Sequence, residues 1–453
     1  MKRSLVIITY HFAPVLSPGS LRMLRWGRYL PQAGWHPVFV ACSNARGSVD
    51  PELMAKVRPD SIVHRVPAIG AYARLAAGLD ALSRFRRPQA QAETTHGPAP
   101  LSRKAAERRF GPGEILLAHL FMPDHAVEWV PGAVLAARRA LKSHRARLIL
   151  TTSPPHSTHL VGLALKLLSP EGLAWVADFR DPWYDNAVRL EGKARSRLLD
   201  AMEARMERWV VEHADLILAN TAGNRTQLQA RYPELPAGKV VVLPNGYDPE
   251  DFREHRDTGP RGPRMTFLHV GYYYSVFGDT LFRGFEEAIA RHPELAARIR
   301  LRLVGELSDQ AKAWASYLAG LDPGLVDMAQ PVPHHQAIRE LGKADVLVCT
   351  NYSGEQGRSC VPSKLYEYVA AGKPILLVSP PGDACELVER SGLGHCIPEN
   401  DRVSVAEAIW RLYCQWQTGS LQAKENQLFV RRFRADEQAE LLASFLDQLD
   451  GKA

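Results

Sequence analysis

The most informative stretch of the chain is Cys360-Val361-Pro362-Ser363-Lys364-Leu365-Tyr366-Glu367-Tyr368-Val369-Ala370-Ala371-Gly372-Lys373-Pro374, which has the pattern of one helix set between two strands. Pro362 and Ser363 are typical of a helix start, and Gly372-Lys373-Pro374 is typical of a helix end. Apolar β-rich runs lie on either side, at Asp345–Thr350 and Pro374–Ser379. A strand, a helix and a second strand in this order predict layers built around a parallel sheet.

The same alternation of β-rich and helical runs extends over almost the whole chain. Further predicted strands are Leu5–Thr9, His36–Cys42, Ser61–Val66, Arg147–Leu150, Ala174–Asp178, Asp215–Asn220, Lys239–Leu243, Thr266–Gly271 and Ile299–Gly305. Several of them lack polar alternation, which predicts burial on both faces. We therefore expect an α/β protein with two doubly wound, Rossmann-like domains.

At 453 residues the chain is too long for a single core and suits two domains of about 200 residues each. Between Pro244 and Arg264 the sequence becomes polar and rich in Pro and Gly, as in a linker. We predict a first domain at 1–245, a second at 246–425, and a terminal helical segment at 426–453 that returns to the first domain.

Missing motifs exclude several classes of protein. The chain has neither G-x-G-x-x-G nor G-x-x-x-x-G-K-[ST], which argues against a dehydrogenase and a P-loop enzyme. It has no Asp-x-Asp pair or other metal-ligand spacing, so we expect no metal and no bound cofactor. The six cysteines are scattered, which predicts neither a zinc site nor a disulfide framework and fits a reducing compartment. The first apolar run, Leu5–Thr9, is too short to span a bilayer, and we expect a cytoplasmic protein.

Basic side chains are concentrated in an insertion at about 70–115. The formal net charge is +7, and arginines dominate the charge between Arg74 and Arg109. Two solvated helix faces around a loop explain this charge, and so does contact with an anionic membrane surface. Aromatic residues are rare in the insertion, which argues against nucleic acid binding.

Lys364 and Glu367 lie one helical turn apart and hence on one face of the predicted helix. The helix start at Pro362 and Ser363 offers free N–H groups to an anion, beside the Lys364 charge, while Leu365 follows within the same turn. Glu367 can accept two hydrogen bonds from a ribose diol. An alternative interpretation is an i, i+3 ion pair on an amphipathic surface helix.

Other candidate residues follow the predicted strands, where open α/β sheets bind their ligands. In the first domain they are Gly19 and Ser20 at a helix start, His159 in a Ser/Thr/His-rich loop, and Asp181 beside Arg180. His159 has the alternative of a structural imidazole, and for Arg180 we favour an internal salt bridge. In the second domain they are Gly271 and Tyr272 after one strand and Gly305 and Glu306 after the next.

These motifs in this order resemble the retaining glycosyltransferases of family 4, which have the GT-B architecture of two Rossmann-like domains facing a central cleft. The resemblance covers nearly the whole chain. It rests on Ile-Thr-Tyr-His-Phe-Ala-Pro with Gly19-Ser20 and Arg22, Ser153-Pro154-Pro155 with His159, Asp178-Phe-Arg-Asp-Pro-Trp183, Ala214-Asp-Leu-Ile-Leu-Ala-Asn-Thr221, Leu243-Pro-Asn-Gly-Tyr-Asp248, and Pro362-Ser-Lys-Leu-Tyr-Glu-Tyr368.

The resemblance implies that the second domain binds a nucleoside diphosphate sugar of UDP or GDP type and that the first supplies the acceptor side. Glu367 matches the second acid of the family's E-x7-E signature, which holds the ribose, and Lys364 would face the diphosphate. The first acid falls on Ser359. The arginine expected after the glycine loop is absent near Gly271, and Arg283 is a candidate substitute.

The expected reaction is glycosyl transfer to an acceptor hydroxyl with retention. Predicted catalytic residues are His159, Asp181 and Lys364; the predicted nucleotide-sugar residues are Gly19, Ser20, Asn245, Gly271, Tyr272, Gly305, Glu306, Pro362, Ser363, Lys364, Leu365 and Glu367. The expected acceptor is lipid-linked or a saccharide, at the inner face of the membrane. A nucleotide-sugar epimerase, a phosphorylase, and an inactive relative that binds membranes or polyanions stay open as alternatives.

Overall fold

The apolar runs of the sequence form two parallel sheets in this computed structural model, which describes residues 3–84, 112–169, 172–184, 196–253 and 262–451. The first sheet has the order β3-β2-β1-β4-β5-β6-β7 and the second has the order β10-β9-β8-β11-β12-β13. Every strand pair is parallel. Both sheets are doubly wound, as predicted, and the strand order reverses between β1 and β4 and between β8 and β11.

The strands match the predicted runs within a few residues at most ends. Those of the first sheet are β1 Arg3–Thr9, β2 Trp35–Cys42, β3 Ile62–Val66, β4 Leu148–Ser153, β5 Ala174–Phe179, β6 Leu216–Ala219 and β7 Val240–Val242. Those of the second are β8 Met265–Val270, β9 Ile299–Val304, β10 Val326–Ala329, β11 Val346–Thr350, β12 Ile375–Val378 and β13 Gly394–Ile397.

Helices connect the strands throughout the described residues. The first sheet is joined by Pro18–Tyr29, Ala71–Arg84, Pro112–Leu120, Val130–His144, Ser157–Leu168, Arg197–His213 and Ala222–Arg231. The second is joined by Thr280–Arg291, Leu295–Arg298, Asp309–Ala319, His334–Lys343, Glu355–Arg358, Lys364–Ala371 and Asp383–Arg390, and is followed by Arg402–Gln417, Gln427–Arg431 and Ala435–Asp450. Short 3-10 turns lie at Leu30–Ala33, Pro51–Lys56, His125–Trp129, Pro249–Phe252 and Ser275–Phe277.

Each strand of the sheet interior contributes side chains to two cores. In β1, Val6 and Ile8 pack on one face of the sheet, while Leu5 and Ile7 pack on the other. All four are fully buried. Burial on both faces is the reason that these strands lack polar alternation, since successive side chains of a strand point to opposite faces.

The chain forms two compact units. Among the described residues, the first unit comprises 3–84, 112–169, 172–184, 196–245 and 435–451, and the second comprises 246–253 and 262–434. The terminal segment contains two helices: Gln427–Arg431 lies in the second unit, and Ala435–Asp450 lies in the first. Most of the predicted basic insertion, residues 85–111, lies outside the described residues.

Two strands and one disulfide were not predicted. Strands β10 and β13 are the two edges of the second sheet and are only partly buried, so their sequences, Val-Asp-Met-Ala and Gly-His-Cys-Ile, lack a continuous apolar run. A disulfide joins Cys385 to Cys396, contrary to the expectation of unpaired cysteines. The fold brings the helix after β12 against β13, with the two Cα atoms 5.1 Å apart, a proximity that sequence spacing does not reveal.

Candidate active site

The helix Lys364–Ala371 follows β11 and begins at the carboxyl edge of the second sheet. Ser363 occupies the N-cap position, and Gly372 ends the helix with a positive φ of 66°, which suits glycine. Leu365 is fully buried and anchors the first turn in the core, while Pro362, Ser363, Lys364 and Glu367 keep partial exposure. Packing of Leu365 therefore fixes the helix start, while the side chains of Ser363, Lys364 and Glu367 remain partly accessible to solvent.

Lys364 reaches across the sheet edge to the loop after β8. Its Nζ lies 3.0 Å from His269 Nε2 and 3.4 Å from the carbonyl oxygen of Tyr272. His269 is fully buried, and burial together with the Lys364 charge holds the pKa of its imidazole well below the usual range, so the neutral ring accepts a hydrogen bond from Lys364 at Nε2. Desolvation lowers the pKa of Lys364 to about 8. Lys364 is thus a cation at neutral pH, and the incomplete solvation of its charge favours an anionic ligand.

The two glycine loops of the second unit meet beside this lysine. Gly271 and Gly305 have φ angles of 98° and 135°, in the region that favours glycine. A Cβ on Gly305 would lie 2.4 Å from the Gly271 oxygen, and one on Gly271 would lie 3.5 Å from Lys364 Nζ. Any larger residue at 305 would push the loops apart. Tyr272 is partly exposed with its ring 4.2 Å from that of Tyr274, and Glu306 is exposed.

A histidine that sequence analysis missed holds Glu367. The imidazole Nε2 of His334 lies 3.0 Å from Glu367 Oε1, and its Nδ1 lies 3.9 Å from Asp251 Oδ2. His334 is 5% exposed and begins the helix His334–Lys343. The only signal in the sequence is a pair of histidines after a proline. The contact with His334 fixes the orientation of the Glu367 carboxylate.

The alternative of an i, i+3 ion pair is wrong. Lys364 contacts His269 and the Tyr272 carbonyl, whereas Glu367 contacts His334. The two side chains are held by different neighbours. Ser359, at the position of the first acid, is 4% exposed, and Arg283 is paired with Asp279 at 2.8 Å, so its charge is already compensated.

In the first unit, the buried charges form a pair that was not predicted. Arg22 donates to both oxygens of Asp178, with Nη2 2.9 Å from Oδ1 and Nε 3.2 Å from Oδ2. Arg22 also donates to the carbonyl oxygens of Leu243 and Pro244. Among the described residues Arg180 forms no ion pair at contact distance, so the expected internal salt bridge is absent, although its charge is attracted by the nearby carboxylates of Asp181 and Asp178.

His159 is fully buried beneath the loop that follows β4. Its ring stacks on Phe179 with centroids 4.5 Å apart, and its Nδ1 lies 2.7 Å from Thr151 Oγ1. That hydroxyl also accepts a hydrogen bond from Trp175 Nε1 at 2.9 Å. Burial and the Arg180 charge lower the pKa of His159 to about 3. His159 is consequently a neutral ring in the core.

The remaining predicted residues of the first unit lie at the carboxyl ends of β1, β5 and β7. Ser17 caps the helix Pro18–Tyr29 by accepting from the Ser20 amide, and Gly19 lies beneath the Arg180 guanidinium. Asp181 follows β5, and burial raises the pKa of its carboxyl group. The Asn245 backbone is bonded within the first unit, by its amide to Asn220 and by its carbonyl to Gln438.

Within the described residues, no group of three or more His, Cys, Asp and Glu side chains could hold a metal ion. The helices of the described ranges include none that is long and apolar enough to cross a membrane.

Two family models match the chain in succession. The model "Glycosyltransferase Family 4" matches residues 94–251, and "Glycosyl transferases group 1" matches residues 267–415. The chain is also 28% identical over 218 residues to a D-inositol 3-phosphate glycosyltransferase of Kineococcus radiotolerans. That match covers 45% of this chain and 50% of the relative, so the similarity spans about half the length of the curated relative.

Solved structures with the same fold cover essentially the whole chain. Sucrose-phosphate synthase of Thermosynechococcus elongatus has a TM-score of 0.63 at 16% identity, with all of both chains covered. HepE of Anabaena, in complex with UDP, has a TM-score of 0.59 at 14% identity, with 98% of this chain and 100% of that chain covered. A UDP-forming trehalose-phosphate synthase of Burkholderia xenovorans has a TM-score of 0.65 at 13% identity, with 98% and 100% covered.

The similarities agree with the geometry of the two units. Both sheets have the doubly wound strand order, and residues of the family motifs, such as Gly19, Asp181 and Lys364, lie at the carboxyl edges of these sheets. The chain belongs to the family 4 glycosyltransferases and has the GT-B fold.

Proposed function

We propose that the protein transfers a glycosyl group from a nucleoside diphosphate sugar of UDP or GDP type to an acceptor hydroxyl, with retention and without a metal ion. The convergence of Lys364, Gly271 and Gly305 beside Glu367 carries this proposal. Glu367 would hold the ribose diol, and Lys364 with the helix start at Ser363 would face the diphosphate. Tyr272 and Glu306 would line the same site.

The chemistry that this arrangement would support is electrostatic. As the glycosidic C–O bond lengthens, the sugar ring becomes oxocarbenium-like and the diphosphate gains negative charge. A lysine and backbone amides already in place would stabilise that charge without reorganisation. Retention would follow from attack on the same face as the leaving group, with a phosphate oxygen accepting the proton of the acceptor. In the first unit, Asp181, Gly19 and Ser20 would shape the acceptor side, with His159 as packing beneath them.

Relatives support the choice of donor class. HepE has been solved in complex with UDP and with UDP-glucose, and a UDP-forming trehalose-phosphate synthase in complex with glucose-6-phosphate. The curated relative acts on D-inositol 3-phosphate by its name. UDP is therefore the first nucleotide to test here, followed by GDP.

The test is the dissociation constant of UDP, GDP and ADP for the wild type and for Glu367→Ala. Hydrogen bonds to a charged group contribute about 1.5–3 kcal/mol, so the variant should bind its preferred nucleotide about 10- to 100-fold more weakly. Glu407→Ala is the matched control, because that side chain is 67% exposed on another helix of the same unit. If Glu367→Ala and the wild type bound the preferred nucleotide with equal affinity, the proposed donor site would be wrong.

Turnover separates the transferase from the other enzymes of this architecture. A retaining transferase consumes the donor only when an acceptor is present and gives a product of unchanged anomeric configuration, measurable by NMR. An epimerase would interconvert nucleotide sugars without an acceptor, and a phosphorylase would require inorganic phosphate. Activity that persists in EDTA would support metal independence.

The acceptor that we propose is a lipid-linked or saccharide intermediate of surface polysaccharide or glycolipid assembly, used by a cytoplasmic protein on the inner face of the membrane. The basic insertion in the sequence supports this proposal. Anionic vesicles should bind the protein at low salt, and neutralising the arginines between 84 and 109 should weaken that binding. Vesicle binding whose affinity changes neither with salt concentration nor with these substitutions would contradict the membrane proposal.

A further inference from the structure

Two tyrosines of the loop after β8 expose their rings on the same side of the chain. Tyr272 and Tyr274 are each 39% exposed, and their ring centroids lie 4.2 Å apart. The residue between them pairs with the loop after β9: the Tyr273 amide donates to the Glu306 carbonyl, and the Ser308 amide donates to the Tyr273 carbonyl. Because alternate side chains of an extended chain point to opposite sides, Tyr273 is buried in the core and its two neighbours are exposed.

Phe277 connects these tyrosines to a third one. The Phe277 ring is 5% exposed, and its centroid lies 5.3 Å from that of Tyr274 and 5.3 Å from that of Tyr352, edge to face in both contacts. Tyr352 is partly buried and follows β11, with its ring centroid 6.5 Å from that of Tyr274. The four rings of Tyr272, Tyr274, Phe277 and Tyr352 form one cluster, which we call the aromatic patch.

Hydrogen bonds hold the loop that carries Tyr352. The buried Asn351 side chain accepts from the Tyr352 amide at 2.9 Å, and it donates to the carbonyl oxygens of Gly357 and Cys360 at 3.0 and 2.9 Å. A Cβ on Gly357 would overlap the Tyr352 carbonyl oxygen, so glycine lets the loop fold this tightly. The Tyr352 ring is therefore already in position, which lowers the entropic cost of binding a ligand against it.

The aromatic patch borders the candidate active site at Lys364. The Lys364 Nζ lies 3.4 Å from the Tyr272 carbonyl oxygen and 6.0 Å from the centroid of the Phe277 ring. The helices that carry Glu367 and His334 pack in the core on one face of the second sheet, whereas Phe277 belongs to the core on the other face. Lys364 consequently has Glu367 on one side and the aromatic patch on the other.

A donor bound as proposed above would bring its sugar to the aromatic patch. With the ribose at Glu367 and the diphosphate at Lys364, the next group along the molecule is the sugar, and the nucleobase is attached to the other end of the ribose. A pyranose presents C–H groups on its faces, and these can pack on the electron-rich face of an aromatic ring. Exposed aromatic rings beside a polar site are the kind of surface that a ligand covers.

We propose that the aromatic patch binds the sugar of the donor by stacking, so that Tyr274 and Tyr352 determine which sugar is accepted. Lys364 and Glu367 bind the part that all donors of one nucleotide share, and the tyrosines bind the part that differs. The ligand class is a pyranose linked to a nucleoside diphosphate. This inference rests on the proposed function, because the orientation of the donor follows from the roles given to Glu367 and Lys364.

The test compares nucleotide sugars with their bare nucleotides, using calorimetry on the full-length protein. The probes are UDP with UDP-glucose and UDP-galactose, and GDP with GDP-mannose. Tyr274→Ala and Tyr352→Ala should bind the preferred nucleotide sugar about threefold to tenfold more weakly, as expected for one lost aromatic contact, and the bare nucleotide with almost unchanged affinity. Tyr274→Phe keeps the ring and should bind both ligands as the wild type does.

Tyr317→Ala is the matched control for the loss of a tyrosine ring. Tyr317 is partly exposed on the helix Asp309–Ala319 of the same unit, about two turns from the end of the helix that lies at the carboxyl edge of the sheet. It should leave the dissociation constants of both ligands unchanged. The melting temperature of each variant, measured without ligand, shows whether a substitution has damaged the structure.

Two results would overturn the stacking proposal. In the first, Tyr274→Ala and Tyr352→Ala both leave the ratio of the two dissociation constants, nucleotide to nucleotide sugar, at the wild-type value. In the second, each variant loses affinity equally for the nucleotide and for its sugar conjugate. An equal loss would mean that the tyrosines contact the nucleobase or support Lys364, and do not contact the sugar.

Glu367→Ala keeps this inference separate from the proposed function. If Glu367→Ala weakens the nucleotide and its sugar conjugate alike while the tyrosine variants change neither, the donor site stands and the stacking proposal is wrong. If Glu367→Ala changes neither while the tyrosine variants weaken only the sugar conjugate, the ribose contact is wrong and the aromatic patch still binds a sugar.

Discussion

Lys364 should make nucleotide binding depend on pH. Desolvation lowers the pKa of this lysine to about 8, and only its protonated form would attract the diphosphate of the proposed donor. The dissociation constant of UDP should therefore increase as the pH rises through about 8, by up to tenfold per unit. Because the second pKa of a phosphate is about 6, the UDP phosphates are almost fully ionised over this range and contribute little change of their own.

Lys364→Arg is the control for this titration, since arginine stays charged throughout. Its affinity for UDP should be nearly constant between pH 7 and pH 9, whatever its absolute value. Calorimetry of both proteins in matched buffers gives the comparison. A decline of the same size in Lys364→Arg would show that another group titrates.

His334 is the second residue whose effect can be measured. It touches Glu367 and lies near Asp251, and we expect it to orient the carboxylate rather than contact the substrate. His334→Ala should weaken UDP binding about tenfold, consistent with the loss of one hydrogen bond to a charged group. Its neighbour His335 gives the matched control, His335→Ala.

A double variant separates positioning from a general loss of structure. If His334 acts through Glu367, then His334→Ala should add almost nothing to the loss already caused by Glu367→Ala. The melting temperature of each variant, measured without nucleotide, reports any structural damage. Full additivity would place the role of His334 elsewhere.

At the scale of elements, the Arg22–Asp178 pair joins the helix Pro18–Tyr29 to β5 and to the chain after β7. The side chains are 4% and 0% exposed. Arg22→Leu leaves the Asp178 carboxylate buried without its cation, and we expect the free energy of unfolding to fall by about 3–5 kcal/mol. Denaturant unfolding followed by circular dichroism gives the value.

The matched control for this substitution is Arg138→Leu, which should change the unfolding free energy by no more than about 0.5 kcal/mol because Arg138 is exposed. Replacing both members of the pair, as in Arg22→Leu with Asp178→Leu, should recover part of the loss, because no unpaired charge remains. A double variant as unstable as the sum of the two single variants would contradict this account.

At the scale of the whole molecule, the chain returns to its first unit through the helix Ala435–Asp450. Leu442 on this helix is fully buried in the core that also contains Leu5 and Ile7, while its neighbour Leu441 is 42% exposed. Leu442→Ala should lower the free energy of unfolding by about 2–5 kcal/mol, since it removes a packed side chain and leaves a cavity.

Leu441→Ala removes the same atoms from the next position and should cost about 1 kcal/mol or less. Denaturant unfolding followed by circular dichroism gives both values, and the hydrogen bond from Trp35 Nε1 to Asp447 at 2.9 Å is a further contact of this helix with the first unit. Equal effects of the two substitutions would mean that the helix is not packed on the first unit as described.

Local sequence pattern predicts much of the fold because it encodes local physics. Apolar runs of strand length, separated by amphipathic helices, predicted eleven of the strands, and Gly372 predicted the end of the helix that begins at Lys364. The edge strands β10 and β13 were not predicted, because a partly buried strand lacks the continuous apolar run from which the other strands were recognised. The motif residues Lys364, Gly271 and Gly305 were predicted separately, and the structure brings them together.

Periodicity and capping act within a few residues, which is why the two doubly wound sheets, the order of the motifs and the helix that carries Lys364 and Glu367 could all be predicted from the chain's residues alone. Only the tertiary structure decided which charges meet. Asp178 pairs with Arg22 rather than with Arg180, two residues away, and His334 reaches Glu367 from another helix. Such contacts depend on distances between segments far apart in the chain, which tertiary packing sets and local sequence pattern does not encode.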